Sequence, residues 1–152
     1  MAISKRIINN LITFVNIQEP SITNGLLVGF DLLDTNRNSL CFSLSDADVS
    51  GDTLSDVTGM FIQNYIDLSL FFRDISGTEG FNDMNAYDFL NTLANYIKKN
   101  YTYKVINNDL AEWVENIEVT KQAKMVRVWD GNIKDYEVRI RIHYIYKKDK
   151  EV

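Results

Sequence analysis

The chain has 152 residues, 45% of them hydrophobic and 24% charged, with eight tyrosines and eight phenylalanines. This is the length and apolar content of one domain with a packed core, so residues 1–152 read as a single domain and not as a disordered chain. The formal charge of −5 is unevenly spread: residues 1–120 hold 7 basic and 16 acidic side chains, a net −9, and residues 121–152 hold 9 basic and 5 acidic, a net +4. An acidic total is a poor basis for nucleic-acid binding, whereas ends of opposite sign can steer one copy onto another.

Ile8, Leu11, Ile12 and Val15 recur at helical spacing, with Ser4 as a cap. They predict an amphipathic helix over residues 4–16 that ends before Pro20. Residues 25–33 are apolar without a decisive period, Asp34 to Asn38 is a turn, and Leu40 to Leu44 is a short strand. Residues 45–58 are acidic and aperiodic and read as a loop. The clearest strand runs from Tyr65 to Arg73, with Ile66, Leu68, Leu70 and Phe72 on one face and Phe61 and Ile62 extending it. A loop at residues 76–80 precedes the strongest helix, residues 83–99, whose stripe is Phe89, Leu90, Leu93, Ala94 and Ile97. Asn82 can cap that helix, and Lys98 and Lys99 suit the negative end of its dipole.

Residues 109–117 place Leu110, Trp113, Val114 and Ile117 at helical spacing and read as a short helical turn. The chain closes as a hairpin: Lys124 to Trp129 alternates, Asp130-Gly131 is a two-residue turn signal, and Tyr136 to Tyr146 alternates again. The fold class is therefore α+β: a mainly antiparallel sheet, an N-terminal and a central helix packed on it, and a C-terminal β-hairpin.

Few residues invite chemistry. Asp46, Asp48, Ser50 and Gly51 match the first half of a calcium loop, but Val57 stands where the bidentate glutamate belongs, so no metal is expected. His143 lacks a partner at motif spacing, and one histidine with one distant cysteine excludes the common zinc patterns. Gly25 to Gly29 is too short and apolar for a phosphate loop, and Cys41 beside Phe42 reads as a small buried hydrophobe. No catalytic residue, no cofactor and no enzyme activity are expected. Asn9, Asn10, Asn16 and Gln18 interrupt any signal-peptide core, and no run approaches the roughly 20 apolar residues of a membrane span, so the expectation is a cytosolic protein without a membrane partner.

In the last strand Val138, Ile140, Ile142, Tyr144 and Tyr146 share one face, while Glu137, Arg139, Arg141 and His143 share the other. Aromatics between cations superficially suggest nucleic-acid stacking, but the two tyrosines fall in the apolar register, so Arg139, Arg141, His143 and Lys147 are the candidate subunit contacts. Phe71 and Ile145 add apolar groups to polar faces, which predicts a sheet covered on both sides, by a helix or by a neighbouring subunit.

The order of these elements, with the ending Gly131…Tyr136-x-Val138-x-Ile140-x-Ile142-x-Tyr144, resembles the small tail-terminator proteins of long-tailed bacteriophages, often labelled minor capsid proteins. The resemblance spans most of residues 4–147. It implies a homo-oligomeric, hexameric ring in the virion tail, assembled in the host cytoplasm, that caps the tail tube and meets a neck or connector protein. Nucleic acid would enter only by passing through the ring lumen. A neck or head-completion protein, a tail-tube-like subunit and, in a different class, a small-ligand-binding regulatory domain are the alternatives.

Overall fold

Alternating side chains in the middle and at the end of the chain give the fold its centre, two long strands paired along their whole length. The computed structural model describes residues 3–18, 23, 26–34, 36–45, 53–54, 61–75, 83–107, 112–129 and 133–147. In chain order the elements are α1 (Ile3–Gln18), β1 (Val28–Phe30), β2 (Ser39–Leu44), β3 (Thr53–Leu54), β4 (Phe61–Asp74), α2 (Asp83–Tyr101), β5 (Val105–Asn107), β6 (Glu112–Val128) and β7 (Lys134–Lys147). The strands form one sheet in the order β1-β2-β4-β7-β6-β5, with β3 also on β4. Every pairing is antiparallel except the three-residue contact of β1 with β2.

β4 and β7 pair without a break from Phe61 opposite Lys147 to Asp74 opposite Lys134. That register puts the even-numbered residues of both strands on one face: Ile66, Leu68, Leu70 and Phe72 beside Val138, Ile140, Ile142, Tyr144 and Tyr146, all buried. Leu40 and Phe42 of β2 and Val114 and Ile117 of β6 widen this surface, and the two helices close it. α1 contributes Ile7, Ile8, Leu11 and Val15, and α2 contributes Ala86, Leu90, Leu93, Ala94 and Ile97. Burying each large aliphatic side chain contributes roughly 1.5–3 kcal/mol, so this single cluster is the main stabilising feature. The helices also meet each other: Tyr101 is fully buried, its ring lies 5.3 Å from that of Phe14, and its hydroxyl donates to Asn10 Oδ1 at 2.6 Å.

The structure corrects one expectation and resolves one open reading. The expected helical turn at residues 109–117 is strand from Glu112 onward, where β6 begins, and residues 109–111 lie outside the described residues. A register shift between Val114 and Asn116 adds a residue to the strand, so Val114 and Ile117 are three apart yet face the same core. That bulge imitates helical spacing. The apolar run 25–33 contains β1, and the chain leaves it at Asp31, whose φ of 56° is a left-handed conformation.

α1, β4, α2 and β7 extend the expected elements by a few residues, whereas β6 reaches from the expected strand at Lys124 back to Glu112, β5 falls where no element was expected, and β3 lies within the stretch read as a loop. β6 and β7 pair as far as Val128 opposite Lys134, and beyond that Trp129 N donates to Ile133 O at 2.7 Å. The Asp130-Gly131 turn, the calcium-like run Asp46 to Asp52, the cap Asn82, the side chain of Ser4 and the loop 76–80 lie outside the described residues. No described helix is long and apolar enough to cross a membrane.

Candidate subunit interface

The odd-numbered residues of β4 and β7 form the other face of the sheet, and both described helices pack on the opposite, apolar face. Because β6, β7 and β4 are adjacent and in register, this face is organised in cross-strand rows. Arg127, Asp135 and Arg73 make the first row; Lys124, Glu137 and Phe71 the second; Lys121, Arg139 and Ser69 the third. Glu118, Arg141 and Asp67 form the fourth, and Asn116, His143 and Tyr65 the fifth.

Three of the five rows pair a cation with a carboxylate. Arg73 holds Asp135 through two hydrogen bonds, Nε to Oδ1 at 2.7 Å and Nη2 to Oδ2 at 2.9 Å, and the Trp129 indole donates to the same carboxylate at 2.8 Å. Burial raises the pKa of Asp135, but the bonds from Arg73 and Trp129 and the charges of Arg73 and Arg127 outweigh it and hold the carboxyl below its ordinary value. The Arg127 guanidinium lies 4.7 Å from the centre of the Trp129 ring.

Arg141 grips Asp67 in the same two-bond manner, at 2.7 and 3.1 Å, and sits 4.1 Å from the centre of the Tyr65 ring. His143 Nε2 lies 2.6 Å from Glu118 Oε1. Glu137, only 6% exposed, accepts from the Ser69 hydroxyl and approaches Arg139 Nε at 3.2 Å.

The four expected contact residues therefore do share one face. Arg139, Arg141, His143 and Lys147 are all half-buried and all on the odd-numbered side of β7. Arg141 and His143 are engaged within the chain, while Lys147 sits at the strand end opposite Phe61. Arg139 pairs with Glu137 of its own strand, but Asp67 and Glu118, the partners of Arg141 and His143, come from other strands, and no pattern within β7 could have identified them. The signal that finds them is the register of three strands, which a sequence does not print.

Among the described residues no three His, Cys, Asp or Glu side chains group to hold a metal ion. Cys41 is buried, and burial pushes its thiol pKa up to about 11, the opposite of what a nucleophile requires. A cleft of about 510 Å³ lies at the Arg73–Asp135 end, between Leu32 and Leu33 on one side and Val126 and Arg127 on the other. Its rim includes exposed apolar groups, Leu32 and Val126, with exposed Leu27 and Phe30 nearby on β1 and its approach. Apolar groups gathered at one end of a polar sheet face suit contact with protein.

No protein-family model matches this sequence, and no curated protein matches it. The fold is similar to that of a chain in a solved structure described as the virion of a native gene transfer agent (GTA) particle. The TM-score is 0.53 with 13% identity, over 95% of this chain and 95% of that one. At that identity the likeness is one of fold, and it extends over almost the full length of both chains.

Proposed function

We propose that this chain is a structural protein of a virion, and that it acts as a tail terminator. In this reading copies of it form a hexameric ring that caps the tail tube, stops its growth and presents a second surface to the neck. The observation that carries the proposal is the full-length similarity of fold to a chain of a virion particle. The sheet face adds physical support. A broad surface of Arg, Lys, Asp and Glu side chains, with an apolar rim at one end, suits contact with protein, and the −9 and +4 portions of the sequence suit a head-to-tail contact that closes into a ring. We propose no catalytic role.

The experiment is the solution mass of the purified chain by light scattering at low and high salt, with negative-stain imaging, alone and with tail tubes. A discrete ring of about six copies, or a monomer that forms one only on tube ends, supports the terminator. Open-ended tubes indicate a tube subunit instead. A salt-insensitive monomer or dimer that ignores tube ends refutes the virion reading and favours a ligand-binding domain.

A further inference from the structure

Of the five rows of the polar sheet face, one carries two cations and no carboxylate. In the row of Lys121, Arg139 and Ser69 two cations stand directly opposite each other and no carboxylate belongs to the row. Like charges opposite one another destabilise a sheet. The nearest acid, Glu137, is engaged by the Ser69 hydroxyl, and its approach to Arg139 Nε is out of hydrogen-bonding alignment, so this nitrogen is sealed from solvent with no hydrogen-bond partner among the described residues. A donor left so is costly unless something occupies the site.

The same row borders a cleft of about 170 Å³ lined by Ser45, Asp67, Thr120, Lys121, Arg139 and Arg141. Asp67 is spent on Arg141 through two bonds. Ser45 Oγ is bonded to Ser69 Oγ at 2.8 Å, and Ser69 gives its own proton to Glu137, so what remains facing the opening is Lys121, Arg139 beside Glu137, and the Thr120 hydroxyl, a set that suits an oxyanion.

We infer that this cleft receives a carboxylate side chain from a second copy of the chain. The inference rests on the ring reading and deepens it by naming the contact. The flanking rows favour a single carboxylate over a nucleic-acid backbone: Glu118 and Asp67 lie on one side and Glu137 on the other, and they would repel a polyanion running across the face. A second copy can supply the acid, because residues 1–120 carry a net −9 against the +4 of the portion that holds Lys121 and Arg139.

The test compares full-length wild type with K121E/R139E, and with K121Q alone, which alters only an exposed residue and keeps the test valid if the double variant fails to fold. Self-association is followed by light scattering across a salt series. The double variant is expected to associate at least about tenfold more weakly at low salt, K121Q more weakly by a smaller factor, and the differences to shrink as salt screens the contact. Wild type that forms rings while both variants form them equally well overturns the cleft but leaves the ring standing.

If wild type does not associate at all, the ring reading has failed and the cleft is read separately. A fluorescent peptide of residues 46–52, rich in aspartate, is titrated onto each protein at low salt. Binding by wild type that the charge reversal abolishes supports a carboxylate site. No binding, equal binding to the variants, or preference for a DNA oligonucleotide over the peptide overturns it.

Discussion

The side-chain amide of Asn16 hydrogen-bonds both backbone groups of Val28: its Nδ2 donates to Val28 O at 2.9 Å, and Val28 N donates to its Oδ1 at 2.7 Å. A residue of α1 thus takes the place of a neighbouring strand along β1. Asn16 lies in the stretch that a sequence reading takes only as too polar for a signal peptide, and its role appears once β1 is placed beside the helix.

Replacing Asn16 by Ala leaves a part-buried N–H and C=O of Val28 without these partners. The expected cost is about 1–3 kcal/mol, read as a lower urea midpoint with an unchanged slope. Asn16→Asp keeps one acceptor but removes the donor and should fall between. A midpoint for Asn16→Ala equal to that of wild type would show that the amide carries no weight.

The Arg73–Asp135 pair predicts an acid-dependent stability. The folded-state pKa of Asp135 is lowered, so its contribution is fully present above the unfolded value of about 3.9 and is lost as pH falls through the lower folded-state value. Asp135→Asn strands a buried guanidinium and should cost roughly 3 kcal/mol at pH 7. The gap between variant and wild type should narrow as pH drops below about 4. Denaturation curves at several pH values check this, and a gap constant down to the acid limit would contradict it.

Tyr101 behaves in the opposite sense. Burial raises its phenol pKa well above the usual value, so the protonated ring contributes stability that is intact below about pH 10 and declines as pH rises beyond it. In an ultraviolet titration Tyr101 should ionise only together with unfolding. Tyr101→Phe should shrink the late phase by one tyrosine and cost about 1 kcal/mol through the lost bond to Asn10.

Cys41 should react with a thiol reagent at pH 8 only as fast as the protein opens. Its burial and a pKa of about 11 both keep thiolate from the reagent. Adding urea below the unfolding midpoint should accelerate the reaction in step with the unfolded fraction. Rapid labelling in native buffer would place the thiol at the surface.

Much of the fold was legible because alternation and helical stripes report burial directly. Ile66, Leu68, Leu70 and Phe72, and then Val138 to Tyr146, define the core face without any knowledge of pairing, and the stripe of Leu90, Leu93 and Ile97 defines the face of α2 that covers it. What was not legible depended on relations between strands. The bulge between Val114 and Asn116 disguised the start of β6 as a helix, and β1 is too short to show a period. The candidate interface divides the same way: Arg139, Arg141, His143 and Lys147 shared a face by counting alone, whereas the unbalanced row of Lys121 and Arg139 exists only through the register of β6 against β7.

Asn91 of α2 does for β6 what Asn16 does for β1, its Oδ1 accepting from Ala123 N at 2.9 Å where β6 has run past its contact with β5. The strand is also broken by repeated register shifts and carries Lys121, Lys124 and Arg127. Side-chain amides and bulges at both margins of the sheet leave little continuous backbone for a passing strand to copy. Backbone groups that a fibril would use for strand addition are thus already taken up by the chain's own helices at Val28 and Ala123.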